Sequence, residues 1–231
     1  PYHDPKMTKV EIQRLGMRAL REGMGLDKSM VTMTPQPINA VYAQCIRVGR
    51  DCSPIWRGTN INEKWGCVDA LTNAIRRWYF TPHLYVCDPD CAYFGHEAER
   101  TRWEVLDQPA LTWDQSIAWL TGQALAGGAV KIGDPFVELD ARETAALRKL
   151  LPSLERPARP IDVFQQDSPR RWHLPVVTTV SRWDIVGCFN WDAANPARIA
   201  LKFAELGLDP TGYYTVYDFW NEKSRGIAQG A

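Results

Sequence analysis

The sequence lacks the features of several large functional classes. Lys plus Arg and Asp plus Glu total 27 each, so no excess positive charge attracts nucleic acid or an anionic membrane surface. No apolar run approaches the ~18 residues of a membrane span. The opening PYHDPKMT has neither the basic nor the apolar region of a signal peptide. We therefore expect no nucleic-acid partner and no membrane partner. The chain is expected to be either cytoplasmic or preceded by a signal peptide encoded upstream.

Motifs for cofactors, metals and activated nucleophiles are also absent. The chain has no Gly-rich phosphate loop, no G-x-S-x-G elbow and no CxxC, and its four histidines form no motif with a nucleophile or a metal. Surface or capping roles are expected for these histidines: His3, His83, His96 and His173. The sequence therefore predicts no cofactor and no metal site.

Six cysteines are present, without metal-ligand spacing. Buried free thiols are expected for those that lie in apolar runs, namely Cys45, Cys87 and Cys188. If the protein is exported, one disulfide is allowed, either Cys52 with Cys67 or Cys87 with Cys91.

Aromatic residues are abundant, with ten tryptophans and eight tyrosines. Aromatic faces stack on sugar rings as readily as they fill cores, so this excess mildly favours a carbohydrate ligand, although core packing is the commoner role. The 45% hydrophobic and 23% charged residues are ordinary for a globular protein with a sizeable core.

Three stretches each end a strand-like apolar run in an acid. They are VYAQCIRVGRD, LYVCDPD and VKIGD, at 41–51, 84–90 and 130–134. Parallel α/β proteins place their chemistry at the carboxyl ends of strands. The sequence therefore predicts one rim that carries several carboxylates, with Arg47 and Asp51 on the first stretch.

Helices alternate with these strands. Capping boxes predict three helix starts, at Thr8 with Glu11, Thr112 with Gln115, and Asp140 with Glu143. A further helix over 65–78 and a short strand over 29–34 complete the order α-β-β-α-β-α-β-α, which predicts right-handed crossovers and a parallel sheet. Four strands are too few to close a barrel, which needs about eight. We therefore expect that Pro1 is not the natural start of the fold.

The pattern changes after residue 152. Residues 153–169 are proline-rich and predict a linker. Beyond them, aromatic and β-branched runs at 172–180, 183–191 and 213–220 predict antiparallel strands, with a short helix over 197–206. The predicted organisation is thus an α/β unit over 1–152, a linker over 153–169 and the start of a β domain over 170–231.

Several of these segments, in this order, resemble one family. RVGRD with Pro54 and Trp56, CDPDC, LTWDQSIAWLTGQALAGGAVKIGD, the helix to Leu151-Pro152, WDIVGCFNW and YDFW are similar to the second half of melibiase-type α-galactosidases, the retaining α-glycosidases of glycoside hydrolase families 27 and 36. The resemblance covers nearly the whole chain. It implies strands five to eight of a TIM (β/α)8 barrel, followed by the beginning of an antiparallel β-sandwich.

The resemblance also implies roles for individual residues. Asp51 matches the family's general acid/base in an R-x-x-x-D context, and Arg47 matches its sugar-hydroxyl ligand. Trp56 and Asp88 are the further candidate substrate-binding residues. The family's nucleophile lies at the end of strand four, which places it upstream of Pro1, so the resemblance implies that the chain needs the upstream half of the barrel.

Each candidate has a structural alternative. Asp51 alternatively forms only a salt bridge with Arg47 or Arg50, and Trp56 alternatively packs beneath its loop. Asp88 alternatively bonds backbone amides in a turn.

Two further aspartates are expected at the rim, and the chain departs from the family's sequence pattern at one place. A turn role is favoured for Asp90, and a rim-orienting or helix-capping role for Asp134. The chain has Thr34-Pro35-Gln36-Pro37 where the family often carries a cysteine and small residues, which leaves the preferred sugar and leaving group open.

The function expected from this resemblance is part of a secreted or periplasmic α-galactosidase-like glycoside hydrolase with a retaining mechanism. Two alternatives remain open at this point. One is a non-catalytic carbohydrate-binding protein on a barrel scaffold. The other is a structural half-barrel that associates with a partner chain supplying the missing strands.

Overall fold

A computed structural model describes residues 4–33, 36–58, 65–81, 83–154 and 156–229. His3, Thr34 and Pro35, which the sequence analysis singled out, lie outside these residues. Within them, no helix has both the length and the apolar composition needed to cross a membrane.

The chain forms a mixed α/β fold with parallel and antiparallel sheets. The helices are α1 (Lys9–Met24), α2 (Cys67–Ile75), α3 (Glu97–Arg102), α4 (Trp113–Leu125) and α5 (Ala141–Lys149). The strands are β1 (Val31–Thr32), β2 (Cys45–Arg47), β3 (Val86–Asp88), β4 (Arg159–Pro160), β5 (Arg171–Val177), β6 (Arg182–Cys188), β7 (Tyr213–Asp218) and β8 (Lys223–Gln229).

The predicted parallel sheet is present, with the strand order β1-β2-β3. Its strands are shorter than the sequence suggested. Residues Pro37–Val41 form a 3-10 helix with proline in its first turn, so the second strand begins only at Cys45. The register pairs Arg47 with Asp88, which brings the ends of β2 and β3 to the same edge.

The strand predicted over 129–132 is reduced to a single parallel bridge between Ala92 and Ile132. The Ala92 N–H donates to Lys131 O at 2.9 Å, and the Gly133 N–H donates to Ala92 O at 2.9 Å. Four regular strands of half a barrel are therefore not formed among the described residues, and the assignment to half a barrel stays a prediction.

Helix starts follow the predicted capping boxes. The N-cap side chains of Thr8, Thr112 and Asp140 accept from the backbone N–H three residues later, and the acid or amide at that position bonds back. The buried side chain of α1 is Arg21, whose guanidinium donates to Tyr42 O and to Lys28 O, at 2.7 Å in the second case. Val10, Leu15, Leu20 and Met24 of α1 are exposed, whereas Met17 packs against a buried apolar cluster.

One apolar core joins the helices to the antiparallel sheet. Trp119 and Leu120 of α4 lie in the same buried cluster as Leu71 of α2 and Trp172 of β5. A Cβ at Gly122 would collide with Leu71, so glycine lets α2 and α4 approach closely.

The carboxyl-terminal part differs in detail from the expectation. Strand β4 lies inside the predicted linker and pairs antiparallel with β5, which also pairs with β6. The helix predicted over 197–206 is only a 3-10 turn at Phe203–Leu206. Strands β7 and β8 form a hairpin, and β8 was not predicted.

Candidate functional site

A cluster of charged residues occupies the carboxyl edge of the parallel sheet. It consists of Arg47, Asp51, Asp88, Asp90 and Lys131, and we call it the rim cluster. Arg47 and Asp88 end β2 and β3, and the Val48 N–H donates to Asp88 O at 3.0 Å. Asp51, Asp88 and Asp90 thus lie together, as the sequence predicted for a rim with several carboxylates, whereas Asp134, the acid of the third stretch, is not part of the cluster.

Arg47 lies between two carboxylates. Its guanidinium forms ion pairs with Asp51, four residues on, and with Asp90 Oδ2 at 3.3 Å. The Arg47 side chain is only 12% exposed, whereas that of Asp51 is 59% exposed. The mostly buried Arg47 guanidinium thus pairs with an Asp51 carboxylate that faces solvent.

Asp90, for which the sequence favoured only a turn role, connects the elements of the cluster. Its Oδ2 accepts from Arg47 and also from the Cys52 N–H at 2.9 Å. Its own N–H donates to Asp88 Oδ1 at 2.9 Å, and its φ of 73° lies in the left-handed region that few non-glycine residues adopt. Asp90 therefore fixes both Arg47 and the backbone that follows Asp51.

Asp88 is nearly covered, at 3% side-chain exposure, and forms an ion pair with Lys131. Although burial opposes it, the bonded Asp88 carboxylate raises the pKa of Lys131, which is therefore cationic at neutral pH. The Asp88 carboxylate is thus already engaged by Lys131 and by the Asp90 N–H. It has little capacity left for the predicted substrate-binding role.

Lys131 and Gln123 were not among the residues predicted for the site. Gln123 is fully buried in α4, donates to Asp90 O and accepts from the Lys131 N–H at 2.8 Å. A lysine inside the apolar run AVKIGD and a glutamine on an apolar helix were the available signals.

Trp56 is positioned by the antiparallel part of the fold. Its indole N–H donates to Trp191 O at 3.2 Å, and the two indole rings lie 6.0 Å apart with a 33° tilt. None of the described contacts links Trp56 to the rim cluster. This packing corresponds to the structural alternative considered for Trp56.

Asp134 organises a turn. It is buried and accepts from the N–H groups of Phe94 at 2.6 Å, Gly95 at 3.1 Å and His96 at 3.0 Å. These bonds hold the chain just before α3 but reach no N–H group within that helix, so the rim-orienting or helix-capping role stays a prediction.

Two histidines have acidic partners. His96 Nε2 lies 3.0 Å from Glu143 Oε2, and His173 Nε2 lies 2.7 Å from Asp184 Oδ1. His173 is buried at 5% exposure, so the expected surface role is wrong for this residue.

The cysteines are all free thiols. Burial raises the pKa of Cys87 and of Cys91 to about 11, and burial also raises the pKa of Cys52, so these thiols stay protonated at neutral pH. Cys87 is buried as predicted, but Cys45 is only partly buried and Cys188 is exposed, contrary to the prediction of buried thiols. No group of three or more His, Cys, Asp or Glu side chains within the described ranges is arranged to hold a metal ion.

One carboxylate of the rim cluster is accessible to solvent. Asp51 is an accessible carboxylate beside a fixed guanidinium, which also offers hydrogen-bond donors to a bound hydroxyl. Asp88 and Asp90 are each held by a cation and by a backbone N–H. The described residues therefore provide one accessible carboxylate at this rim, not a free pair.

Comparison with known proteins supports the fold. No protein-family model and no curated protein matches the chain. A solved structure that it resembles is that of a "putative alpha-galactosidase" from Bacteroides fragilis, with a TM-score of 0.57 and 15% sequence identity. The alignment covers 99% of this chain and 48% of that protein, so this chain spans about half of its length. At this identity the likeness establishes a shared fold.

Proposed function

We propose that this chain is the acid/base-bearing part of a retaining α-glycosidase of the α-galactosidase type. The observation that carries the proposal is the exposed Asp51 carboxylate held by the covered Arg47 at the carboxyl edge of a parallel sheet. The fold shared with a protein described as an α-galactosidase adds support. Sugar and linkage are left to experiment.

The proposed reaction has two steps that share Asp51. In the first, protonated Asp51 donates its proton to the glycosidic oxygen as a second carboxylate bonds to the anomeric carbon and the leaving group departs. In the second, the Asp51 carboxylate takes a proton from water, whose oxygen displaces the enzyme carboxylate. Arg47 holds Asp51 in place and donates to a sugar hydroxyl.

The second carboxylate is proposed to come from a segment encoded upstream. Retaining enzymes need two carboxyl groups about 5–5.5 Å apart, and the other rim carboxylates are engaged. In the described sheet, β1 is an edge strand, and Val31 on it is 54% exposed. Val10 and Leu20 of α1 are also exposed, so an apolar surface is available for further strands and helices to cover.

A test uses 4-nitrophenyl α-galactoside and the chain with and without the preceding part of its gene. The chain alone is expected to be inert, and the longer protein to hydrolyse the substrate with retention. Asp51→Asn in the longer protein should lower kcat by about 100-fold or more, as for loss of a general acid/base. Asp107→Asn, an exposed control outside the rim, should not.

Azide gives a second readout. With an activated leaving group, Asp51→Ala should recover turnover in azide, because azide attacks the glycosyl–enzyme bond without general-base help and yields a glycosyl azide of retained configuration. Hydrolysis by the chain alone, or full activity of Asp51→Asn, would contradict the proposal.

A second candidate is a carbohydrate-binding protein without catalysis. The observation that favours it is the full engagement of Asp88 and Asp90, which leaves a single accessible carboxylate among the described rim residues. In this case the longer protein binds galactosides in calorimetry but releases no 4-nitrophenol.

A further inference from the structure

A second cluster of cations lies outside the rim cluster and shares no residue with it. A cavity of about 230 Å³ is lined by Asp162, Gln166, Arg170, Arg171 and Arg198, together with the two apolar residues that follow Arg198. We call it the arginine cavity. Three of its seven lining residues are arginines and one is acidic, whereas the whole chain has equal numbers of basic and acidic residues.

The single acid in the lining is buried and engaged. Asp162 is 0% exposed, and its carboxylate accepts from the N–H groups of Arg170 and Arg171 at 3.1 Å. Its Oδ2 also lies 3.6 Å from Arg171 Nε. Asp162 therefore fixes the backbone that presents two successive arginines, and its charge is compensated within the same turn.

The guanidinium of Arg171 already has several hydrogen-bond and ion-pair partners within the protein. Beyond Asp162, its guanidinium donates to Glu205 Oε2 at 2.5 Å and to Gln165 Oε1 at 3.3 Å. It forms a fixed wall of the cavity and has little capacity left for a ligand.

Arg170 and Arg198 differ from Arg171 in this respect. Within the described part of the chain, neither guanidinium donates a hydrogen bond or forms an ion pair. The exposed Asp192 lies near Arg170, because the pKa of Asp192 is lowered first by hydrogen bonds from Asn195 and Ala194 and, less, by the charge of Arg170, but the two side chains form no ion pair among the described contacts. Two arginines from separate segments thus line one cavity whose only acidic lining residue, Asp162, is already engaged by Arg171 and by backbone N–H groups.

Like charges that share a cavity repel each other, and a bound anion converts this repulsion into attraction. We propose that the arginine cavity binds a small oxyanion through the guanidinium groups of Arg170 and Arg198. Planar guanidinium forks match the oxygens of phosphate, sulfate and carboxylate groups. The volume lies below the roughly 300 Å³ at which pockets for drug-sized ligands begin, which favours a small anion over an oligosaccharide.

The test titrates the 231-residue chain at low ionic strength with inorganic phosphate, with sulfate and with acetate, and follows the arginine Nε–Hε resonances by NMR. Saturable shifts of Arg170 and Arg198 are expected. Arg198→Gln should weaken binding by about tenfold or more, since hydrogen bonds between charged groups are among the stronger ones. Arg148→Gln, which removes an exposed arginine at the end of α5, is the matched control and should leave the affinity unchanged.

The acetate arm separates carboxylate ligands from phosphate and sulfate. Arg170→Lys keeps the charge but removes the fork, and should bind more weakly than the unmodified chain while keeping its circular dichroism spectrum. Non-saturable shifts with all three anions, or equal loss of affinity in Arg198→Gln and Arg148→Gln, would overturn the proposal. Because no sugar is involved, this result is independent of the proposed glycosidase activity.

Discussion

Two arginine–aspartate pairs in this protein have arginines of similar solvent exposure and aspartates of very different solvent exposure. The side chains of Arg47 and Arg171 are 12% and 15% exposed, but Asp51 is 59% exposed whereas Asp162 is 0% exposed. Asp51 follows a strand into a solvent-facing turn, while Asp162 is buried in the segment that joins β4 to β5. The comparison shows that the position of the carboxylate decides whether such a pair is available for chemistry or serves structure.

The largest expected effect comes from breaking the buried pair. Asp162→Ala should lower the free energy of unfolding by about 3–5 kcal/mol, because it leaves the backbone N–H groups of Arg170 and Arg171 without their acceptor and removes one of the two carboxylates that Arg171 pairs with. This change in the free energy of unfolding is measured by urea denaturation, with tryptophan fluorescence as the signal. Asp167→Ala, which removes a fully exposed acid from the same segment, is the control. Equal stabilities of the two variants would show that the buried carboxylate has no structural role.

The second-largest expected loss of stability follows replacement of Asp90, which accepts from Arg47 and from the Cys52 N–H. Asp90→Ala should cost about 1–3 kcal/mol, because the Cys52 N–H loses its acceptor. Asp90→Asn should cost less, since asparagine tolerates the left-handed backbone and still accepts a hydrogen bond. The same urea titration compares them. If Asn is as damaging as Ala, the charge on Asp90, rather than the hydrogen bond, is what matters.

Alkaline pH should weaken the core beneath the rim cluster. Burial raises the pKa of Cys87 from 9.0 to about 11, so the folded state keeps a proton that the unfolded state loses. Its contribution to stability is fully present below about pH 9 and is lost as the pH rises through about 11. Unfolding titrations of the unmodified chain and of Cys87→Ala should therefore converge over this range. A stability difference that stays constant would contradict the raised pKa.

The smallest expected effect on stability comes from the exposed pair itself. Asp51→Asn should change the free energy of unfolding by less than about 0.5 kcal/mol, because the carboxylate is solvated and Arg47 keeps Asp90. Chemical denaturation measures this change, and Arg50→Gln is a neighbouring control. A loss comparable with that of Asp162→Ala would assign Asp51 a structural role.

Local signals in the sequence located most of the helices. Thr8, Thr112 and Asp140 sit at helix starts because their side chains satisfy backbone N–H groups that no helix can pair internally. Such bonds reach only three residues along the chain, so the sequence alone suffices to predict them.

The site was only partly predictable. Arg47, Asp51 and Asp88 were placed at the sheet edge because parallel strands bring their carboxyl ends together. The roles of Asp90 and Lys131 depend on contacts between residues some 40 positions apart, Arg47 with Asp90 and Asp88 with Lys131, which no short pattern encodes.

Errors arose where tertiary packing overrides local preference. In α1 the buried side chain is not an apolar one but Arg21, which bonds the Tyr42 backbone oxygen on the chain entering β2. Strand β4 went unrecognised inside a proline-rich segment because only its pairing with β5 makes it a strand.

The amino-acid sequence by itself determined the helix caps, the parallel arrangement of β1 to β3 and the row of acids at their carboxyl edge, since these follow from short-range hydrogen bonding and apolar periodicity. Only the tertiary structure decided which acids are exposed to solvent. Asp51 stays in solvent while Asp88, Asp90 and Asp162 are held, because the exposure of a carboxylate depends on which distant cations and amides fold against it.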